Sequence, residues 1–259
     1  MTQMPCSPES VAALIPARAG SKRLASKNVR LLDGHPLLAY TIEAALQSGI
    51  FNKVLVSTDS EQIAEIARRY GAETPFLRPE AMATDHSPDI DWILHALNHL
   101  EAVGSAPDCF SLLRPTSPFR QPETILRAWD QFRRHPEADS LRAVEPCKQH
   151  PAKMWKLSGA WLSPLLDDGG ADPPWHSSAY QSLPQVWAQN ASLEIAWYRT
   201  PLETHTIAGR KILAFQTEGY EGFDINQMED FLLAEILVER KLATLPFIGN
   251  QASENNHHG

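Results

Sequence analysis

The sequence predicts an α/β protein: a mostly parallel sheet with helices on both faces, carrying one inserted extension. Three observations support this. Apolar runs of strand length alternate with stretches of helical period through the first half of the chain. Helix-length stretches open on capping residues or prolines and close on glycines or turns. The rhythm breaks once, over residues 145–200, and then resumes.

Val11 to Ile15 is apolar, ends abruptly at Pro16 and reads as a buried strand. A helix opens at Pro36, a good first-turn residue, and stops at Gly49. Lys53 to Ser57 is a second buried strand. Asp59 and Ser60 then cap a helix that runs to Tyr70 and closes on Gly71. Thr74 to Leu77 is a short extended piece. Ser87-Pro88 starts a helix with Ile90, Ile93, Leu94, Leu97 and Leu100 on one face. Cys109 to Leu113 is a third strand, and Pro122 opens a helix through Arg134. Ligands of such sheets bind outside the carboxyl ends of the strands, and segments 16–28 and 114–120 both fall on that edge.

Residues 145–200 are rich in tryptophan and proline, too long for a plain loop and too aromatic for a disordered linker. They read as an insertion with β-structure that presents apolar surface to a partner subunit; the alternative is an extension packed on its own core. Regular structure resumes over Lys211 to Gln216, and an amphipathic helix from Gln227 to Leu242 ends the fold. The expected division is a core of 11–144 and 201–245, an inserted dimerisation extension of 145–200, and flexible tails at 1–10 and 250–259.

A chain of 259 residues can bury a substantial single core. Its formal net charge of −8 leaves no extended cationic face for nucleic acid. No apolar run approaches the roughly 20 residues a bilayer span needs, and Met1 to Ser10 shows no secretory pattern, so no membrane partner is expected. Cys6, Cys109 and Cys147 form neither a disulfide framework nor a zinc pattern, which fits a reducing cytoplasm.

Against that acidity, the stretch after the first strand gathers Arg18, Lys22, Arg23 and Lys27 around Gly20 and Ser21. Small residues there let backbone N–H groups approach an anion. Basic residues after a strand are often only a solvated loop, but a local cationic knot on an acidic chain is placed for a specific polyanion, such as a nucleoside triphosphate. Neither the Walker pattern nor G-x-G-x-x-G is present.

The string Pro16-Ala-Arg-Ala-Gly-Ser-Lys-Arg23, with Lys27-Asn28 and Gly34-His-Pro-Leu37, resembles the N-terminal signature of the cytidylyltransferases that activate nonulosonic, sialic-acid-like sugars. Val56-Ser-Thr-Asp59, Phe76-Leu-Arg-Pro79 with Ala83 and Asp85, Arg114-Pro-Thr-Ser-Pro-Phe-Arg120, His150-Pro-Ala-Lys153 and Gly222-Phe-Asp-Ile-Asn226 resemble further segments of that family, in the right order. The resemblance implies a nucleotidyltransferase, Rossmann-like fold and a homodimer with its sites near the subunit interface. The implied substrates are CTP and an acidic sugar. Ala17, Arg18, Gly20, Ser21, Lys22, Asn28, Arg78 and Ala83 would bind the nucleotide. Thr116, Ser117, Lys153 and Gln181 would meet the sugar, Lys153 from the neighbouring subunit. The catalytic set would be Arg18, Lys22, Lys27 and Asp224.

An Asp-x-Asn pair at a strand end puts two oxygen-bearing side chains on one side, and oxygen ligands with few protein contacts suit Mg²⁺. Asp224 and Asn226 are therefore the expected metal residues, although the family usually carries Asp at the second position and Asp-Ile-Asn is also a plausible helix cap. Arg114 stands where the family has Gln, and Tyr180 where it has Arg. The cation is accordingly expected to have moved, with Arg114 meeting the sugar's acid group; the alternative is that Arg114 pairs with an acidic neighbour. The implied reaction is CMP transfer from CTP to a sugar hydroxyl with release of pyrophosphate. Rival readings are a nucleotidyltransferase using a sugar 1-phosphate or another NTP, and a catalytically idle nucleotide-binding protein.

Overall fold

Strand alternation sets the architecture. The computed structural model describes residues 8–21 and 23–249. In chain order the elements are β1 (Val11–Pro16), β2 (Leu31–Leu32), β3 (His35–Pro36), α1 (Leu37–Ser48), β4 (Lys53–Ser57), α2 (Glu61–Arg69), α3 (Asp89–Ala102), β5 (Cys109–Leu113) and α4 (Pro122–Arg133). There follow β6 (Ser140–Pro146), β7 (Trp155–Ser158), β8 (Trp161–Pro164), β9 (Trp187–Trp197), α5 (Arg199–Thr204), β10 (Ile212–Gln216) and α6 (Met228–Glu239). Six strands form the central sheet in the order β10-β6-β9-β5-β1-β4. β1 is parallel to both β4 and β5, whereas β9 runs antiparallel to β5.

Successive side chains of a strand point to opposite faces. Val11, Ala13 and Ile15 of β1 therefore join Leu38 and Ile42 of α1, Ile63 of α2 and Ile125 of α4. Ala12 and Leu14 face the other way, against Trp92, Ile93 and Leu97 of α3. Each fully buried leucine or isoleucine contributes about 1.5–3 kcal/mol, so the two layers fix both faces of β1 and with them the start of the 16–28 loop.

Local signals act as read. Gly49 ends α1 at φ 68°, where a left-handed residue costs glycine little. Ser60 Oγ accepts the Ile63 N–H at the start of α2. The 74–77 piece forms no strand; its neighbour Glu73 makes a single bridge to Leu55. α6 departs from a simple amphipathic helix, because Leu232, Leu233 and Ile236 are exposed while Phe231, Ala234 and Leu237 are buried.

The insertion is narrower than its composition suggests. The chain divides into one unit of Met1–Ala143 with Asn190–Gly259 and a second unit of Val144–Gln189. The sequence reading assigned 190–200 to the extension, but Leu193–Trp197 pair with β5 inside the central sheet. An antiparallel strand continuing straight out of an aromatic excursion has no boundary signal of its own. At the N-terminus, Pro8 is buried and Asp108 Oδ2 accepts the N–H groups of Glu9 and Ser10, so residues 8–10 are tied to the core and are not a free tail. Residues 1–7 and the tail from 250 lie outside the described residues.

Candidate active site

The segments that leave β1 and β5 converge on one cleft at the carboxyl edge of the sheet, with a volume of about 390 Å³. Arg18, Lys27, Arg78, Arg114 and Asp224 are among the side chains that line it. Lys22 lies outside the described residues.

The cationic loop is braced. Ala17 is buried and its N–H donates to Ser57 C=O at 3.0 Å, so β4 already uses that donor. Asp59 Oδ1 accepts the Ala19 N–H at 2.8 Å; Asp59 thus anchors the loop, while Ser60 takes the helix cap. Buried Asn28 donates its amide to Arg18 C=O at 3.0 Å. Arg18 Nη1 lies 2.8 Å from Asp85 Oδ1 and also donates to Ala83 C=O at 3.3 Å. Gly20 has open space where a Cβ would stand, leaving its backbone approachable. Ser21, by contrast, spends its N–H on Ala19 C=O at 2.9 Å, which corrects the expectation that this donor is free for an anion. Lys27 Nζ donates to Ile225 C=O at 3.0 Å. Burial lowers the Lys27 pKa, while the Asp224 carboxylate acts in the opposite direction.

Arg78 both lines the cleft and builds it. Its guanidinium bonds Ser57 Oγ and Ser57 C=O at 3.0 and 2.8 Å and stacks over Trp92 at 4.7 Å. Burial pushes its pKa down to about 10.

Arg114, beside the same start of α3, does not stand free. Its Nη2 is 2.7 Å from Asp89 Oδ2 and 3.4 Å from Glu194 Oε1, and Glu194 in turn pairs with Arg142 at 3.1 Å. Burial alone would depress the Arg114 pKa, but the two carboxylates hold it above its ordinary value. Arg114 thus pairs with acidic neighbours, as the alternative reading has it, and still lines the cleft. Thr116 lines the cleft, and its C=O accepts the Ile225 N–H at 2.9 Å. Ser117 does not reach the cleft: it is 1% exposed, and its hydroxyl has no hydrogen-bond partner. A proline on each side turns it inward.

Two functional residues escape the sequence reading. Arg120 is 1% exposed and has no acid partner among the described residues; it donates to Ser192 C=O, to Arg114 C=O and to Thr41 Oγ1 at 2.9 Å. Burial pushes its pKa down to about 9. It clamps the 114–120 turn to β9 and α1. Glu194 is the other, and a carboxylate between Leu193 and Ile195 in an apolar run was its available signal.

The 224–226 segment is not a strand end, because β10 stops at Gln216 and a turn at 219–222 separates it from the segment. Nor does it cap the helix: Asp230 Oδ2 takes the N–H groups of Asn226 and Gln227. Asn226 Nδ2 instead donates to Asp224 Oδ2 at 2.6 Å, and Asp224 Oδ1 is buried with no hydrogen-bond partner. A lone oxygen of that kind fits a divalent cation held by one carboxylate and by phosphate oxygens. Among the described residues no group of three or more His, Cys, Asp or Glu could hold a metal ion by itself.

Lys153 and Gln181 belong to the second unit. Lys153 Nζ donates to the carbonyls of His176 and Ser178 at 2.9 and 2.5 Å, and Gln181 is exposed in a short turn. Tyr180 packs edge-on to His150, and its hydroxyl donates to Cys147 C=O at 2.8 Å.

A cleft at the carboxyl edge of an α/β sheet, with a braced cationic loop and an unsatisfied carboxylate, defines a nucleotide-handling enzyme. Residues 12–154 match the cytidylyltransferase family model. The chain belongs to that family and is a nucleotidyltransferase. It is 36% identical over 236 residues to CMP-N,N'-diacetyllegionaminic acid synthase of Legionella pneumophila, covering 88% of this chain and 96% of that protein. It is also 36% identical to N-acylneuraminate cytidylyltransferase of Escherichia coli, covering 89% of this chain but only 52% of that longer protein. Its fold is similar to that of a CMP:2-keto-3-deoxy-manno-octonic acid synthetase solved with CTP, with a TM-score of 0.64, 14% identity, and coverage of 90% and 99% of the two chains.

Proposed function

We propose that this protein transfers CMP from CTP to a hydroxyl of a nonulosonic, sialic-acid-like sugar. The sugar oxygen bonds to the α-phosphorus, the α–β bridging bond breaks, and pyrophosphate leaves. The observation that carries this reading is the pairing, in one cleft, of the Arg18–Lys27 loop with the unsatisfied Asp224 carboxylate. The legionaminic acid synthase and the N-acylneuraminate enzyme support the sugar class by their names.

The triphosphate brings about four negative charges, so catalysis is mainly charge neutralisation and alignment. Arg18 and Lys22, with the Gly20 N–H, hold the β- and γ-phosphates. Lys27 spans from the loop to the 224–226 segment and steadies charge near the α-phosphate. Arg78 and Ala83 wall the nucleoside end, and Thr116 lines the acceptor side. Asp224, through Oδ1, would hold Mg²⁺, which when bound neutralises the α-phosphate and lowers the pKa of the attacking hydroxyl.

The protein acts as a homodimer in this reading. Register places Trp155, Leu157, Leu162 and Pro164 on one face of the β7–β8 hairpin, and Trp161 on the other face is 81% exposed. Apolar surface of that extent suits a second copy, which brings Lys153 and Gln181 to the neighbouring site. No helix of the described residues is long and apolar enough to cross a membrane; with CTP as substrate and cysteines in no disulfide pattern, we place the enzyme in the cytoplasm.

The deciding experiment measures pyrophosphate release for four NTPs crossed with nonulosonic acids and sugar 1-phosphates. CTP with a nonulosonic acid is the expected active pair, and Arg18→Ala should lower its kcat/KM about 30- to 1000-fold, or roughly 2–4 kcal/mol. Release only with a sugar 1-phosphate or another NTP overturns the substrate assignment, and no release with any pair makes the protein an idle binder.

A further inference from the structure

The segment Asp224-Ile225-Asn226 is fixed on every side but one. Ile225 is fully buried; its N–H donates to Thr116 C=O, and its C=O accepts Lys27 Nζ. The Asn226 N–H is held by Asp230 at 2.9 Å. With the backbone pinned at three points, the two polar side chains have little choice of direction. Asn226 Nδ2 donates to Asp224 Oδ2 at 2.6 Å. An ionised carboxylate only accepts, so the amide must turn its nitrogen, not its oxygen, toward Asp224. That leaves Asp224 Oδ1 buried and unsatisfied.

We infer that Asn226 is a positioning residue and not a metal ligand: it satisfies one oxygen of Asp224, presents the other to a divalent cation, and leaves so little protein charge that the cation enters only as its nucleotide complex. This deepens, and rests on, the cytidylyltransferase reading. The charge balance supplies the reason. Arg18, Arg23 and the carboxylates of Asp224 and Asp230 lie within electrostatic reach of Lys27, and Asp230 is already occupied by the N–H groups of Asn226 and Gln227. In the free cleft the carboxylates of Asp85 and Asp89 are already paired with Arg18 and Arg114, so a bare dication meets Asp224 beside Lys27. Once the triphosphate is present the sign reverses. Mg²⁺ dehydrates reluctantly and takes one or two carboxylates plus phosphates, which is what this cleft offers only when nucleotide is bound.

The test uses Mn²⁺ as probe on the full chain without nucleotide, followed by calorimetry and thermal melting. The wild type should show no saturable binding of bare Mn²⁺ below about 1 mM, and should bind the preformed Mn²⁺–CTP complex. Asn226→Asp removes the donor and sets two carboxylates face to face, so its metal-free Tm should fall. Mn²⁺ alone should then bind this variant about tenfold or more tighter than it binds wild type, and restore the Tm. Three results overturn the inference: saturable submillimolar Mn²⁺ binding by the nucleotide-free wild type, an Asn226→Asp protein whose metal-free melting matches wild type, or one that gains no Mn²⁺ affinity. Should Asn226→Asp fail to fold, the wild-type titrations with bare Mn²⁺ and with preformed Mn²⁺–CTP still decide. Because these readouts need no sugar and no turnover, their failure is distinct from failure of the pyrophosphate assay.

Discussion

Arg18 and Asp85 form a 2.8 Å ion pair inside the cleft, so the cation assigned to the triphosphate has an anionic partner before any ligand arrives. Both side chains are about one-third exposed, which makes the pair exchangeable with a solvated anion. Asp85 therefore competes with phosphate for Arg18.

Removing the competitor should tighten nucleotide binding. Asp85→Asn is expected to lower the CTP Kd about three- to tenfold, from roughly 0.7–1.4 kcal/mol of lost competition. Calorimetry without sugar measures it. An unchanged or weaker Kd would show that Asp85 contributes to nucleotide binding in some other way.

Arg114 makes a different prediction once its partners are known. Arg114→Gln strips Asp89 and Glu194 of a guanidinium and leaves buried Glu194 with Arg142. The expected cost is about 1–3 kcal/mol of stability, read by denaturant melting. Asp89→Asn in the same chain should cost less than the sum of the two single changes, because the pair is then already broken. Strict additivity would remove the coupling.

The same pair carries a pH dependence. Burial raises the Asp89 pKa, but the Arg114 charge and hydrogen bond, with a Trp92 bond, outweigh it and hold the carboxyl below its ordinary range. A depressed acid stabilises the fold fully above its unfolded pKa, about 3.9, and loses that stabilisation as pH falls through the lower folded value. Partial exposure limits the effect to about 0.5–1 kcal/mol. Asp89→Asn should flatten this part of the acid limb below about pH 4, and an acid limb unchanged in the variant would contradict the assignment.

How far the site is legible in sequence depends on whether its signals are local. Gly49, Ser60 and the alternation in Val11–Ile15 act within a few residues, and each element they announce is present. Arg114 and Glu194 meet across 80 positions, so the sequence could raise an acidic partner for Arg114 but could not name it. Ser117 looked like a sugar contact because it sits in a matching motif, yet the turn between two prolines points it inward. The Asp224–Asn226 contact was hidden for a related reason: an Asp-x-Asn spacing cannot say which atom of the amide faces the acid.

The hairpin surface yields the fourth prediction. Leu157→Lys combined with Leu162→Lys should convert a dimer of the chain to a 28.9 kDa monomer in sedimentation. A wild type already monomeric at micromolar concentration would end the dimer proposal.

The chain leaves the central sheet through β6 and re-enters through β9, and these two strands are neighbours in it. The excursion between them therefore begins and ends at adjacent points, and the entropy of closing such a loop grows only slowly with its length. Its size and sequence can change without altering the register of β1, β4 or β5, or the loops that β1 and β5 feed into the cleft. The fold thus separates two constraints: the sheet edge is fixed by packing on both faces, while the hairpin unit answers only to what its own surface must bind.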